Sequence, residues 1–178
     1  MTALLRLSDI LAAPCRWVAR LAGWMLLALV AVILYDVVGR RFFLTGSFKL
    51  QELQWHIHGA VAVLAFGHAY AHDAHVRIDV FAECLAPRRR LWIELAGIVL
   101  FLLPFMAVIL WTGWDFAWRA FERGESSPGG VGLTNRWIIK SAVPLSALLA
   151  MIGGLSVACR VAAKLARAEA PEPFRKGE

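Results

Sequence analysis

The stretch "HAYAHDAHVRID", residues 68–79, follows directly on the apolar run "GAVAVLAFG". It contains three of the five histidines of the chain and two aspartates. Such a cluster is typical of a metal site or a haem ligand set, but it also occurs where a buried helix ends in water. The choice among these interpretations depends on the kind of structure to which the apolar run belongs.

Apolar residues make up 60% of the 178 residues, and the mean hydropathy is +0.62. Ordinary soluble domains contain roughly 45–50% apolar residues. The excess lies in four runs, at about residues 17–38, 53–71, 91–114 and 137–159. Each run approaches the roughly 20 residues that a helix needs to cross a bilayer. We therefore predict an all-α integral membrane protein, a single membrane domain over residues 1–178 with four transmembrane helices and a flexible tail at about residues 168–178.

The distribution of lysine and arginine predicts the orientation, because positive charge near helix ends is retained in the cytoplasm. With four spans, twelve of the nineteen basic residues lie on the side of the two termini and seven on the other. We therefore predict that both termini are cytoplasmic. Cys15, Cys84 and Cys159 would then lie at or near the reducing side, where free thiols are expected. The charges are spread along loop edges, which favours contact with lipid headgroups over nucleic acid.

The connection between the second and third runs predicts a short helix on the cytoplasmic membrane surface. Apolar residues recur at helical spacing from residue 77 to residue 85, and "PRRR" closes the segment. Such an amphipathic segment lies flat in the interface with its arginines near the headgroups. The alternative is a plain basic loop.

Two rows of small residues predict close helix packing. One row, in the fourth run, comprises Ala142, Ser146, Ala150, Gly154 and Ala158. The other, in the second run, comprises His58, Ala62, Ala65, Ala69 and His72. The partner of either row is a helix of the same chain or a separate protein.

Charged side chains in the runs lie near their ends, and the central turns are apolar. A proton or ion relay requires ionisable groups deep in several helices, so this chain is not expected to carry the permeating path itself. Asp36 is four residues before Arg40, a spacing that predicts an ion pair on one helix face. Glu52 and Lys140 lie at the same external membrane boundary. They are expected to form ion pairs there with residues of opposite charge, namely Arg41, Lys49 or Asp36. We predict no catalytic residues and no enzyme.

All five histidines belong to the second run and its exit. Haem b in a helical bundle is normally held by histidines on two facing helices, and one helix does not supply both faces. His68 and His72 share a helix face, and His75 or Asp79 would add a ligand, but this pattern falls far short of an established metal motif. We therefore predict no metal and no cofactor in this chain.

Four segments together resemble a known family. They are "VVGRRFF" (residues 37–43), "LQELQW" (50–55), "DAHVRIDVFAECLAPRRR" (73–90) and "GVGLTNRWIIKSAVPLSALLAMIGG" (130–154). In order, spacing and four-span plan, the chain resembles the small permease subunit of tripartite ATP-independent periplasmic (TRAP) transporters over about residues 21–165. The sequence departs from many members at "LTNRW", where a proline often follows the leucine.

The resemblance implies a membrane complex with a large multi-span permease subunit, which holds the substrate and sodium sites and moves. A soluble periplasmic binding protein delivers the substrate, often a carboxylate. The small subunit would be a scaffold for the large one, located in the bacterial inner membrane, and would help dock the binding protein. The positions that carry the family pattern are Arg40, Glu52, His75, Arg77 and Asp79. Hypothetical contacts for the binding protein are Arg40, Arg41, Lys49, Arg119, Glu122 and Arg123.

Two other functions stay open from the sequence. One is the membrane anchor of a haem- or quinone-linked respiratory oxidoreductase, with the group bound near the histidines. The other is a self-contained small exporter, which would transport without a partner.

Overall fold

The computed structural model describes residues 2–72, 85–127 and 132–167. Within these ranges the chain forms helices and loops, and no described residue lies in a strand. The elements are α1 (Thr2–Phe42), α2 (Phe48–Leu64), α3 (Phe66–Ala71), α4 (Pro87–Gly97), a π-helical segment (Ile98–Leu102), α5 (Leu103–Glu122) and α6 (Trp137–Arg167). The all-α prediction is confirmed for these ranges, whereas the interfacial helix predicted from residue 77 falls almost entirely outside them.

Helix α1 begins about four turns before the apolar run that predicted it. Its first half buries one narrow face, made of Ser8, Ala12, Cys15 and Ala22, while its other sides expose Leu7, Ile10, Trp17 and Leu21. A hydropathy window detects only continuous apolar sequence, so it misses a helix with a narrow buried face. The buried face packs against α6, where the hydroxyl groups of Ser8 and Ser156 form a hydrogen bond of 2.9 Å.

The second predicted membrane helix is divided into α2, with 17 residues, and α3, with 6 residues. The division is slight, because Ala65 keeps right-handed helical angles (φ −73°, ψ −15°) and its N–H group donates to the carbonyl of Val61 at 3.3 Å. The N–H group of Ala69 donates in turn to the carbonyl of Ala65 at 3.0 Å. Helical hydrogen bonding therefore passes through the interruption.

Three helices of the described chain are long and apolar enough to cross a membrane: Ala3–Phe42, Pro87–Glu122 and Trp137–Ala166. The second of these contains α4, the π-helical segment and α5 without a break. At the end of the π-helical segment, the N–H group of Leu103 donates to the carbonyl of Ile98, five residues back. Pro104 follows at once, and a proline removes one helical hydrogen bond and crowds the preceding turn. The wider π turn directly before it accommodates that disruption.

Helix α6 is the centre of the bundle, since every other helix that the structure describes packs against it. In the most apolar 18-residue stretch of α6, 50% is buried within the chain. In the corresponding stretch of the helix that contains α5, only 6% is buried. Two apolar clusters surround α6. One contains Cys15, Ala60, Leu64, Ala142 and Leu149, and the other contains Leu91, Ile98, Val157 and Val161.

The outer faces of α1, the π-helical segment and α5 carry large apolar side chains that no part of the described chain covers. Trp24, Phe101 and Trp111 are the clearest examples, and the side chain of Trp111 is 79% exposed. A soluble protein does not leave such continuous apolar faces in water. These faces therefore require lipid or another membrane protein as their neighbour.

Candidate functional site

Polar side chains gather at the end of the bundle where α1 ends, α2 begins, α5 ends and α6 begins. We call this group the polar cluster. Its members are Asp36, Arg40, Glu52, Gln54, Glu125, Ser127, Leu133 (through its backbone), Arg136 and Lys140.

Asp36 is a buried carboxylate of α1, with an exposed fraction of 5%. Arg40 reaches its Oδ2 atom through Nη2 at 2.8 Å and through Nε at 3.0 Å, which confirms the ion pair predicted from their spacing. Gln54 of α2 donates to the same oxygen at 3.2 Å. Asp36 thus joins α1 to α2, and its other oxygen, Oδ1, is buried without a hydrogen-bond partner among the described residues.

Glu52, near the start of α2, is also buried, with an exposed fraction of 6%. Its Oε2 atom accepts a hydrogen bond from the backbone N–H group of Leu133 at 2.7 Å. The Ser127 side chain is a second hydrogen-bond partner of the Glu52 carboxylate. Gly132 lies so close that a Cβ atom there would overlap the Glu52 carboxylate and Ser127. The expected pairing of Glu52 with Arg41 or Lys49 is not found among the described residues, because its hydrogen-bond partners belong to the α5–α6 connection.

Lys140 of α6 pairs with Glu125 of the same connection at 2.5 Å, not with Asp36. Its ammonium group also lies 4.0 Å from the centre of the Phe116 ring. The hydrogen bond from Lys140 lowers the pKa of the Glu125 carboxyl below its ordinary value, with Arg136 and Arg123 acting in the same direction and burial opposing them. This ion pair fixes the connection to the first turn of α6.

The backbone of the α5–α6 connection is closed by its own hydrogen bonds. The N–H group of Ser127 donates to the carbonyl of Leu133 at 3.1 Å, and that of Arg136 to the carbonyl of Glu125 at 3.0 Å. Gly124 and Asn135 have positive φ angles of 55° and 61°, which these residue types tolerate better than most. The sequence predicts an irregular connection here, but no local pattern reveals that Glu52, 81 residues before Leu133, holds its base.

The six residues proposed to contact the binding protein lie around the polar cluster, at the ends of α1 and α5 and the start of α2. Arg41, Lys49 and Arg123 are exposed. Arg119 forms an ion pair with Asp115, and Glu122 accepts a hydrogen bond from the Trp118 indole at 3.0 Å. These residues stay predictions as contacts, since no partner protein is present.

Of the five family-pattern positions, Arg40 and Glu52 belong to the polar cluster. His75, Arg77 and Asp79 lie outside the described residues, as does Cys84. The other two cysteines, Cys15 and Cys159, are free thiols.

At the opposite end of the bundle, α6 holds the ends of α1 and α3. Arg160 donates to the carbonyl of Ala71, one of the carbonyls left unbonded at the end of α3. Ser156, completely buried, donates to the carbonyl of Ser8 at 2.9 Å. Buried polar groups of this kind join helices where an apolar contact alone has little directional preference.

The two predicted rows of small residues differ in their surroundings. Ala142, Ala150 and Gly154 are buried, whereas Ser146 and Ala158 are partly exposed. In the second run, the predicted row does not pack within the described chain, since His58, Ala62 and His72 are exposed, and packing of this row against a separate protein stays a prediction. The face that packs instead comprises Ala60, Leu64, Gly67 and Ala71.

The described histidines give no support to a haem or quinone anchor. His68 and His72 lie on one helix with ring centroids 4.0 Å apart, and the Nδ1 atom of His72 lies 3.1 Å from the carbonyl of His68. Within the described ranges, no three histidine, cysteine, aspartate or glutamate side chains are grouped so that they could hold a metal ion.

Comparison with known proteins identifies the family. None of the curated proteins with which the chain was compared matches it. The model of one family, "Tripartite ATP-independent periplasmic transporters, DctQ component", matches residues 29–164. The match extends from the middle of α1 almost to the end of α6 and includes the whole polar cluster. The sequence resemblance is thereby confirmed: the chain belongs to the DctQ family and is the small permease component of a TRAP transporter.

Proposed function

We propose that this protein is a non-catalytic scaffold for the large permease subunit and part of the docking surface for a periplasmic substrate-binding protein. The complex would use an ion gradient, with sodium bound in the large subunit, to take up a solute that we expect to be a carboxylate. The observation that carries the proposal is the family match over residues 29–164.

The proposed topology has four spans in the inner membrane, with both termini in the cytoplasm. Helices α2 and α3 together form the remaining span, which is the second in chain order, since helical hydrogen bonding continues through Ala65. From Phe48 to Ala71 they reach about 36 Å at 1.5 Å per residue, enough to cross the hydrocarbon core. In this orientation, the polar cluster faces the periplasm.

The scaffold role is supported by the uncovered faces of α1 and α5. Because α6 already packs the helices of the chain together, the outer surface of α5 is free to pack against a second membrane protein. Lipid would cover the remainder.

The proposal is tested by purifying the tagged protein gently from bacterial membranes and identifying what accompanies it. We expect a large multi-span permease, and solute uptake that requires both membrane subunits and the binding protein. Recovery of a flavoprotein or an iron–sulfur subunit, together with a reducible Soret band, would instead identify an oxidoreductase anchor. Transport by the chain alone after reconstitution would identify an exporter.

The docking role is tested by reversing exposed charges. Arg41→Glu combined with Lys49→Glu should weaken binding-protein affinity most strongly at low salt, because exposed charges are screened as salt rises. Arg40 is unsuitable for this purpose, since its reversal would place a second negative charge beside buried Asp36. An affinity unchanged at low salt would remove these two cations from the docking surface.

A further inference from the structure

We propose that the outer face of α1, at the end of its apolar sequence, binds one phospholipid with a negatively charged headgroup. In this proposal an acyl chain lies in a groove beside α1, and Arg41 binds the phosphate. The inference requires only that α1 crosses a membrane, and it does not rest on a role in docking the binding protein.

The groove lies between the end of α1 and the residues that follow it. Its volume is about 490 Å³, and it is lined by Leu34, Tyr35, Val38, Gly39, Phe43 and Thr45. Leu34 and Val38 are one helical turn apart, as are Tyr35 and Gly39, so the groove runs along the helix axis. On a helix that crosses a membrane, a groove in this direction follows the acyl chains of the surrounding lipid.

Gly39 brings the chain that follows α1 close to the helix. Its carbonyl accepts hydrogen bonds from the N–H groups of Phe43 at 3.0 Å and Thr45 at 3.2 Å. A Cβ atom on Gly39 would lie 3.0 Å from the hydroxyl oxygen of Thr45. Leu44 has a positive φ angle of 54°, which turns the chain back at this point. The wall of the groove that residues 43–45 form is therefore held by backbone hydrogen bonds.

The groove lies where the hydrocarbon core meets the headgroups. The apolar run of α1 ends at Val38, and Arg41 follows three residues later. Phe42, Phe43 and Leu44 come next, and each is at least 71% exposed. Three consecutive apolar side chains with this exposure require an apolar neighbour. Both the helix end and the first residues after it are therefore placed in contact with lipid.

The two arginines at this end of α1 have different surroundings. Arg40 pairs with Asp36 on the side of α1 that faces α2. Arg41 is exposed and, in the part of the chain that the structure describes, has no ion-pair partner. It follows Val38 by three positions and Leu34 by seven, so it lies on the same helix face as one row of the groove. A guanidinium group at this place can bind a phosphate through charge-assisted hydrogen bonds.

The order of the chemical groups along α1 favours a phospholipid as the occupant. An apolar groove is followed, in the direction of the headgroups, by an exposed cation, and a phospholipid presents an acyl chain and a phosphate in the same order. None of the six lining residues is charged, so an acyl chain in the groove meets no unpaired charge. An anionic headgroup is preferred, because it keeps a net negative charge beside Arg41.

The test measures lipid binding to the complete chain in mild detergent, by mass spectrometry of the intact complex. The probes are phosphatidylglycerol, which is anionic, and phosphatidylcholine with the same acyl chains, which is zwitterionic. The unmodified protein should bind one phosphatidylglycerol roughly fivefold more tightly than phosphatidylcholine, because one cation near a membrane surface contributes about that factor. Arg41→Gln should abolish this preference. Arg123→Gln should retain it, although it removes an exposed cation from the same end of the bundle.

Two neighbouring valines test the groove itself. Val38 lines the groove and is 45% exposed, whereas Val37 is 56% exposed and does not line it. Val38→Trp should fill the groove and reduce the number of tightly bound phosphatidylglycerol molecules by one. Val37→Trp should leave that number unchanged. If Val38→Trp does not fold, Arg41→Gln and its control decide the question.

Equal affinities of the unmodified protein for the two lipids would overturn the inference. Equal effects of Arg41→Gln and Arg123→Gln would also overturn it, because they would show only a general attraction of the basic chain for anionic lipid. Equal lipid numbers in the two tryptophan variants would exclude the groove. The same measurement on the transporter purified with its large subunit should show the site retained, whereas its loss would show that the large subunit covers the groove instead.

Discussion

Individual buried polar groups hold the two ends of this bundle together. At one end, the carboxylates of Asp36 and Glu52 join α1 to α2 and α2 to the α5–α6 connection. At the other end, the hydroxyls of Ser8 and Ser156 join α1 to α6. In a membrane such groups contribute direction and register to helix contacts that dispersion alone leaves loosely specified.

The Ser8–Ser156 contact should contribute measurably to stability. Ser156→Ala removes the donor to the Ser8 carbonyl and should lower the free energy of unfolding by about 0.6–1.5 kcal/mol. The matched control is Ser146→Ala, whose hydroxyl bonds the carbonyl of Val143 in its own helix, so its loss should change little. Thermal unfolding of the purified protein in detergent measures both. Equal stability of the two variants would show that the interhelical bond contributes nothing.

The ion pair of Glu125 with Lys140 should make stability depend on pH. The pKa of Glu125 is lowered from its ordinary value of 4.5 in the folded protein, so the unfolded chain binds more protons near that pH. The stabilising contribution is therefore present above about pH 4.5 and is lost as the pH falls through the lowered pKa. Unfolding temperatures measured from about pH 6 to about pH 2.5 should fall more steeply for the unmodified protein than for Glu125→Gln. Parallel curves would contradict this assignment.

At the scale of the helices, α3 and α6 approach each other closely through two glycines. A Cβ atom on Gly67 would lie 2.5 Å from the backbone oxygen of Leu149, and one on Gly153 would lie 2.5 Å from the oxygen of Gly67. Neither distance is possible without moving a backbone. The two glycines therefore allow the short helix to pack directly on the central one.

Two glycines of the same predicted span provide a matched pair for testing this contact. Gly67→Ala should destabilise the protein by about 1–3 kcal/mol, because the methyl group has to displace the α6 backbone. Gly59→Ala should leave the protein equal or about 0.5–1 kcal/mol more stable, because nothing lies within 4 Å of the added atom and alanine favours the helix. Thermal unfolding in detergent compares them. A Gly67→Ala variant as stable as Gly59→Ala would exclude the close approach.

The described helices show which sequence signals were sufficient to predict where a helix lies and which face of it packs. Continuous apolar runs predicted α5, α6 and the second half of α1, because in a membrane hydrophobicity itself determines where a helix lies. The first half of α1 was missed because Arg6, Asp9 and Arg16 interrupt its apolar sequence, although Ser8, Ala12 and Cys15 form a narrow buried face there. Within the described chain, the second run packs through a different face from the predicted row. Small residues recur on two sides of it, and only tertiary contact with Leu149 distinguishes Gly67 from Ala69.

At the scale of the whole molecule, the topology depends on whether α2 and α3 together cross the membrane. Single cysteines would replace Leu44 in the first connection, Arg88 in the first turn of α4 and Arg123 directly after α5, in a chain whose own cysteines are replaced by alanine. With four spans, positions 44 and 123 react with a membrane-impermeant maleimide on intact cells, and position 88 reacts only after permeabilisation. If α2 and α3 do not cross, positions 44 and 88 lie on the same side and position 123 on the other.

The candidate site was only partly accessible from the sequence. The pair of Asp36 and Arg40 was predicted because both residues lie on one helix at a spacing that brings their side chains together. The partners of Glu52 and Lys140 were not, because Leu133 and Glu125 belong to a connection whose path is determined by how α5 and α6 pack. Charge alone suggested cations and acids as partners, whereas Glu52 in fact accepts hydrogen bonds from a backbone amide and a hydroxyl.

The central position of α6 dictates when the protein can be completed during its synthesis. Helix α6 follows the end of α1 by roughly a hundred residues, so at about 5–20 residues per second α1 waits roughly ten seconds for the helix against which it packs. During that interval Ser8 cannot form its hydrogen bond with Ser156, because α6 has not yet been synthesised. Glu52 likewise lacks the backbone N–H group of Leu133 that it binds in the complete protein. The earlier helices must be held by lipid, by the insertion machinery or by a partner subunit until α6 enters the membrane and closes the bundle.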